Sequence, residues 1–164
     1  MDYEFGESFA DVPTFNGHGA ILEALSRWRR LPESPTIVNE MNARLALILA
    51  AAFLFAAVGL GAFGAHALKA RIAAEMMTVY QTAVQYHFWH ALGLLAVGIL
   101  LLHKPDSGAL TAAAWLLVAG VVIFCGSLYL LSLTGIRGLG AVTPIGGAVL
   151  LAAWGALAWA AWRW

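Results

Sequence analysis

Two histidines lie close together in an otherwise uncharged stretch of the sequence. His87 and His90 are three positions apart, so a helix would place both imidazoles on one face. Imidazole is a common ligand of zinc and haem iron, and His66 would supply a third ligand. The nearest acid is Glu75, and Cys125 lies in a later apolar stretch, so the spacing completes no metal site. We expect hydrogen bonds between helices and no resident cofactor, with haem or metal binding as an alternative.

Further polar and aromatic side chains crowd the same segment. They are Tyr80, Gln81, Gln85, Tyr86, His87, Trp89 and His90. One interpretation is an aromatic belt at the membrane boundary combined with hydrogen bonds between helices. The other is a pocket that binds a lipid headgroup, a quinone or a small solute. Both interpretations stay open at the level of sequence.

Three hydroxyl groups lie in two later segments that the same site would need. Ser127 and Tyr129 occur near the end of one apolar stretch, and Thr143 lies at the start of the next. A nucleophilic serine requires a general base and an acid that orients it. The apolar stretches contain no carboxylate. We therefore predict no catalytic residue, and the composition favours a non-enzymatic protein.

Small residues suggest where helices approach one another. Residues 59–64 match the pattern G-x-G-x-x-G, but they close an uncharged apolar run, and a dinucleotide site needs a preceding strand. Ala57, Gly61 and Ala65 instead share one helical face, which permits close packing. Gly126 and the Gly146–Gly147 pair are the predicted receiving positions for that face.

Four uncharged segments must position these side chains. The chain has 164 residues, 62% hydrophobic and 11% charged, which excludes an ordinary soluble domain, a disordered chain and a nucleic-acid binder. Runs of about 20 apolar residues span the hydrocarbon core as helices. The predicted fold is therefore an all-α integral membrane protein, a four-helix transmembrane bundle with an N-terminal extension. The predicted spans are 45–65, 78–102, 110–134 and 139–162.

Alternating spans bring the polar residues to one side of the membrane. The end of the first span, the start of the second, the end of the third and the start of the fourth share a side, so one polar cluster is expected there.

Before the second span, residues 66–77 are predicted to form an amphipathic helical lead-in at the interface, with Ile72 and Met76 on one face. Thr143 is predicted to cap the fourth helix, with Pro144 in its first turn; a longer helix kinked at Pro144 is the alternative.

Residues 1–40 are of a different composition. They carry three basic and seven acidic residues, a net charge of −4, whereas residues 41–164 carry six basic and two acidic residues, a net charge of +4. We predict an acidic, proline-containing extension, mostly irregular, with a short helix at 19–30. The segment that begins at Met41 resembles the usual start of a membrane protein, which leaves the role of the extension open.

Four motifs carry a resemblance to a known family. They are GAFGAH at 61–66, YHFWHAL at 86–92, GSLY at 126–129 and TPIGG at 143–147. With these motifs in this order, residues 41–164 resemble the YgdD-like family of small bacterial inner-membrane proteins, the domain of unknown function 423, and transmembrane-protein-256-like sequences of animals. The resemblance implies a four-span inner-membrane protein and no assigned reaction, substrate or cofactor.

The sequence therefore predicts an accessory or structural membrane component, in contact with lipids and with a membrane-protein partner or a second copy. The alternatives are ligand binding or transport, and haem or metal binding through His87 and His90. Lys and Arg favour the cytoplasmic side. Six of these residues lie on the side of the termini against three opposite, so both termini are predicted to be cytoplasmic. Arg27, Arg29 and Arg30 decide this count, since residues 41–164 alone give three against three.

Overall fold

The computed structural model describes residues 41–164 as a bundle of four helical spans. The spans are Ala43–Leu68, Ala74–His103, Gly108–Thr134 and Arg137–Trp162, each long and apolar enough to cross a membrane. All regular elements within this described part are helical. The predicted fold class, an all-α four-helix transmembrane bundle, is confirmed. The extension at 1–40 and its predicted helix at 19–30 lie outside the described residues.

The first span is an α-helix over Ala43–Phe63 that continues as a π-helical turn over Gly64–Leu68. Its N-terminus is capped by Asn42, whose side-chain oxygen accepts a hydrogen bond from the Leu45 N–H at 2.9 Å. This cap satisfies one of the backbone donors that a helix start leaves unpaired.

The second span is an α-helix over Ala74–His103, and the segment before it differs from the prediction. The Leu68 carbonyl accepts hydrogen bonds from the N–H groups of Arg71 and Ile72, at 2.8 and 3.2 Å, which closes a turn. Ile72 packs against the buried side chains of Leu68, Met77 and Tyr80. The predicted helical lead-in over 66–77 is therefore wrong, because the chain reverses after Leu68 and packs the partly buried Ile72 against the bundle.

The third span changes its helical hydrogen-bonding pattern midway. It is α-helical over Gly108–Gly120, π-helical over Val121–Cys125 and α-helical again over Gly126–Thr134. It ends at Gly135, whose φ of +71° is a left-handed conformation that glycine adopts without steric cost. Turns of π-helix are rare and often occur at functional sites.

The fourth span begins with a 3-10 turn over Arg137–Ala141 and continues as an α-helix over Thr143–Trp162. Pro144 lies in the first turn, as predicted. Thr143 does not cap the helix. Its hydroxyl contacts Ser127 at 2.9 Å and the Leu139 carbonyl oxygen at 3.4 Å. The capping prediction is wrong because the hydroxyl points back towards the preceding turn and the third span.

The packing order places the polar segment of the second span inside the bundle. The first span packs mainly on the second, the third packs on the fourth, and the second and third spans join the two pairs. The interior is filled by small and aliphatic side chains such as Ala46, Ala83, Leu94, Val97 and Leu117. The second span is consequently covered by two neighbours along most of its length.

The small-residue face of the first span does not meet the predicted partners. Gly61 lies against the second span, where an added Cβ would be 3.4 Å from Val84. Gly146 instead approaches the third span so closely that a Cβ would strike the backbone of Phe124. Gly126 has open space where a Cβ would be. The predicted pairing is wrong: Gly61 faces the second span and Gly146 faces the third, because each of these spans packs mainly on its neighbour in the chain.

Candidate functional site

Polar side chains meet at the end of the bundle where the first and third spans finish. His87 of the second span is buried, with 6% of its surface exposed. Its Nδ1 lies 3.3 Å from the Tyr129 hydroxyl of the third span. Its ring packs edge-on against Phe53 of the first span, with centroids 5.5 Å apart. His87 therefore contacts both neighbouring spans.

The second imidazole nitrogen of His87 has a different environment. Nε2 is buried and has no hydrogen-bond partner among residues 41–164. An unsatisfied buried polar atom costs free energy, about 1–3 kcal/mol in typical proteins. The contact with Tyr129 is thus the one polar interaction through which the described structure holds this ring.

Tyr80 lies beside the same group and fixes the end of the first span. Its hydroxyl donates to the Leu60 carbonyl oxygen at 2.7 Å, and its ring centroid is 5.2 Å from that of Tyr129. The ring fits against Gly64, where a Cβ would be 2.5 Å from the Tyr80 Cε1. Only glycine, which has no Cβ, leaves room for this ring. The π-helical turn therefore begins at the residue against which Tyr80 packs.

A second polar contact joins the third and fourth spans. Ser127 and Thr143 share a hydrogen bond of 2.9 Å, and the Ser127 hydroxyl is 2.9 Å from the Phe124 carbonyl oxygen. The serine hydroxyl is therefore engaged with a neighbouring hydroxyl and its own helix. Its hydrogen-bonding partners are not those of a nucleophile, which needs a base.

His90 is turned away from the His87 contact. Its Nδ1 lies 2.7 Å from the carbonyl oxygen of Tyr86, one helical turn earlier, so this nitrogen carries the proton and donates. The ring stacks on Tyr86 and meets Trp154 of the fourth span edge-on, with centroids 6.0 Å apart. Tyr86 also packs on Phe124, with centroids 4.8 Å apart. These aromatic contacts pack the second span against the third and fourth.

The three histidines proposed as alternative metal ligands do not come together. His66 is exposed at the end of the first span, whereas His87 and His90 are buried. Within residues 41–164, no three His, Cys, Asp or Glu side chains are grouped as metal ligands. The Nδ1 atoms of His87 and His90 are directed to Tyr129 and to a backbone carbonyl. The described geometry therefore does not join His66, His87 and His90 in one ligand set.

A cavity of about 220 Å³ lies between the first and second spans. Gln81 and Gln85 contribute amide groups to its wall, opposite Gly61 and Gly64, and Tyr80 forms part of the inner surface. His87, Tyr86 and His90 are not among its lining residues. Of the predicted polar residues, the structure thus gathers Tyr80, His87 and Tyr129 in one group and Ser127 with Thr143 in another, while Gln81 and Gln85 face the cavity.

Sequence reasoning missed several parts of this arrangement. Phe53 and the Leu60 carbonyl are apolar or backbone groups, which carry no signal in the sequence. The π-helical turn at Val121–Cys125 was also missed.

Comparison with known proteins agrees with the described fold. The family model "Protein of unknown function (DUF423)" matches residues 60–147. UPF0382 membrane protein YwdK of Bacillus subtilis (strain 168) is 49% identical over 108 residues, which cover 66% of this chain and 88% of that protein. UPF0382 membrane protein SH2409 of Staphylococcus haemolyticus (strain JCSC1435) is 46% identical over 111 residues, which cover 68% and 89%. No solved structure matches the chain.

Proposed function

We propose that this chain, which belongs to the DUF423 family of membrane proteins, is a non-enzymatic membrane component that acts by helix–helix association with another membrane protein or a second copy. Its four spans form one bundle, and its polar interior stabilises that bundle. Its outward helical surface is then the part available to a partner.

The observation that carries this proposal is that polar side chains form a hydrogen bond between each pair of consecutive spans. Tyr80 joins the second span to the first, His87 and Tyr129 join the second to the third, and Ser127 and Thr143 join the third to the fourth. Hydrogen bonds between membrane helices stabilise by about 0.6 kcal/mol on average. Each pair of consecutive spans thus shares one such bond. A structural role therefore explains why these polar groups are present, and no catalytic role is needed.

The outward face of the fourth span supports association. Ala148, Ala152 and Gly155 are exposed and share a helical face, beside the larger exposed side chains Leu151 and Trp159. A Cβ on Gly155 would meet no atom within 4 Å. Small residues between larger ones allow a second transmembrane helix to approach closely. This face suits a helix of a partner or of a second copy.

The test compares Gly155→Leu with Gly59→Leu, an outward glycine of the first span that also has open space around it. The full chain is placed in lipid nanodiscs drawn directly from native membranes. Subunit counting by photobleaching detects a second copy, and cross-linking with mass spectrometry detects another protein at fixed stoichiometry. We expect Gly155→Leu to weaken association and Gly59→Leu to preserve it. A monomer that cross-links to no defined protein would refute the proposal.

Ligand binding is a second candidate, favoured by the cavity between the first and second spans. Its amide groups, from Gln81 and Gln85, suit a polar headgroup, a quinone carbonyl or a small solute. Native mass spectrometry of protein extracted with its lipids would detect a retained molecule. The double variant Gln81→Leu, Gln85→Leu should release it, whereas Thr82→Val, outside the cavity wall, should retain it. Equal retention in both would remove this candidate.

We also propose a bacterial inner-membrane location with both termini in the cytoplasm. The support is the bias of Lys and Arg in the whole sequence, in which Arg27, Arg29 and Arg30 supply the difference. An alkaline phosphatase fusion after Trp164 should be inactive, and a fluorescent protein there should be bright. An active phosphatase fusion would reverse the orientation.

A further inference from the structure

A second cavity lies at the opposite end of the bundle from the polar contacts. It has a volume of about 280 Å³ and lies where the second span ends, the third begins and the fourth ends. Lys104, Ser107, Trp159, Arg163 and Trp164 contribute to its wall. Three separate segments of the chain therefore converge on one small space at the boundary of the membrane.

Two cations converge on this cavity, and both are held against aromatic rings. The Lys104 Nζ lies 5.1 Å from the centroid of the Trp164 ring, and the Arg163 Cζ lies 5.6 Å from that of Trp159. Contacts of this length are attractive cation–π interactions, which restrict where the charges lie. Asp106, the acid in the same connection, is exposed and does not line the cavity.

The surroundings define the ligand class. Lys104 and Arg163 are exposed and place two positive charges at one cavity, which suits a group with negative oxygens. Arg and Lys are the usual partners of phosphate. The volume is just below the range of about 300–1,000 Å³ that holds a drug-sized molecule, so it suits a headgroup rather than an entire lipid. Tryptophan is enriched at the level of lipid headgroups, where this cavity lies.

We propose that this cavity binds the phosphate group of an anionic phospholipid, between Lys104 and Arg163. The Trp159 and Trp164 rings form the apolar edge of the site and face the glycerol region of the lipid. Basic pockets between transmembrane helices bind anionic headgroups by the same chemistry. The site shares Trp159 with the outward face of the fourth span but no residue with the cavity of Gln81 and Gln85. Its test varies Lys104 and Arg163, which are not part of the helix-association proposal.

The experiment measures lipid preference in the full chain. The protein is placed in nanodiscs that contain phosphatidylcholine and phosphatidylglycerol and is then released into the gas phase. Native mass spectrometry counts how many molecules of each lipid stay bound. The test variant is Lys104→Gln, Arg163→Gln. The matched control is Arg44→Gln, which removes an exposed cation at the same end of the bundle but outside the cavity. Helix content and elution volume verify that each variant is folded.

We expect the wild type to retain phosphatidylglycerol preferentially. Each cation near an anionic lipid raises affinity about fivefold, so the double variant should lower the preference about 25-fold. Arg44→Gln should lower it less than twofold. Absence of preference in the wild type, or an equal loss in Arg44→Gln, would overturn the proposal.

A second arm distinguishes a lipid from a soluble phosphate ester. Glycerol 1-phosphate is titrated into wild-type protein in phosphatidylcholine nanodiscs, with binding measured by calorimetry. Weak or undetectable binding supports the lipid as the source. Tight binding that is lost in Lys104→Gln, Arg163→Gln would overturn the lipid assignment in favour of a soluble phosphate ester.

Discussion

At the scale of residues, each buried polar group in the spans is explained by a neighbour on another helix or by its own backbone. In lipid there is no water to form hydrogen bonds with a polar group, so a polar group without a partner in the protein raises the free energy of the fold. His87 is the exception in part, because Nδ1 meets Tyr129 while Nε2 has no partner among residues 41–164. The Tyr129 hydroxyl is therefore the group whose loss should matter most for this ring.

Tyr129→Phe should lower the free energy of unfolding by about 1 kcal/mol, since it leaves both ring nitrogens of His87 unpaired. The same change in a His87→Leu background should cost almost nothing, because the partner is already absent. Unfolding in mixed micelles, followed by circular dichroism, gives the four free energies of this double-mutant cycle. Additive effects would show that the 3.3 Å contact does not stabilise the fold.

Gly64→Ala should destabilise the bundle, whereas Gly59→Ala should not. The added methyl group at position 64 would lie 2.5 Å from the Tyr80 ring, and moving the ring would break its hydrogen bond to Leu60. Overpacking of this kind typically costs about 1–3 kcal/mol. Gly59 lies in the same helix with open space around it. Equal melting temperatures for the two variants would contradict the packing of Tyr80 on Gly64.

At the scale of elements, hydrophobic length predicted the four spans because the thickness of the membrane imposes it. The helix ends were less predictable, since they depend on particular contacts. Thr143 looked like a cap, yet its hydroxyl contacts Ser127 of the third span, and the residues next to Thr143 in sequence do not indicate that contact. Ile72 looked like a surface residue of an amphipathic helix, yet it packs on Leu68 and Tyr80 after a chain reversal.

Which glycines form helix contacts also could not be predicted from the sequence, because small residues occur in every span. Gly61, Gly126 and Gly146 fit close packing equally well by type, but only the structure separates them. Gly146 meets the backbone of Phe124, Gly61 lies near Val84, and Gly126 has open space. The polar residues of the site were predictable because they are rare in apolar runs. Their division into two groups was not, since it depends on the rotation of each helix.

Gly146→Ala should separate the third and fourth spans, and Gly147→Ala should be nearly neutral. A Cβ at position 146 would strike the Phe124 backbone, which cannot move by rotating a side chain. At position 147 it would lie 3.7 Å from the Phe124 ring, an ordinary contact. We expect a loss of about 2–3 kcal/mol for the first variant and less than about 0.5 kcal/mol for the second. Similar unfolding free energies would contradict this helix contact.

At the scale of the whole molecule, the fold divides polar chemistry between the two ends of one bundle. One end holds uncharged groups, namely Tyr80, His87, Tyr129, Ser127 and Thr143, in contacts between helices. The other end holds Lys104 and Arg163 at a cavity beside tryptophan rings. Four crossings make this division possible, because alternate connections return to the same side. The position of both polar regions therefore depends on which side of the membrane each connection between spans lies.

Single cysteines should show this sidedness directly. Arg44→Cys and Arg163→Cys are separated by four spans and should react with a membrane-impermeant maleimide from one side, whereas Lys69→Cys and Arg137→Cys should react from the other. The native Cys125 is 1% exposed, so the unmodified protein provides an unreactive background. Labelling is compared in sealed right-side-out and inverted vesicles. Reaction of Arg44→Cys and Lys69→Cys from the same side would show that the segment between them does not cross the membrane.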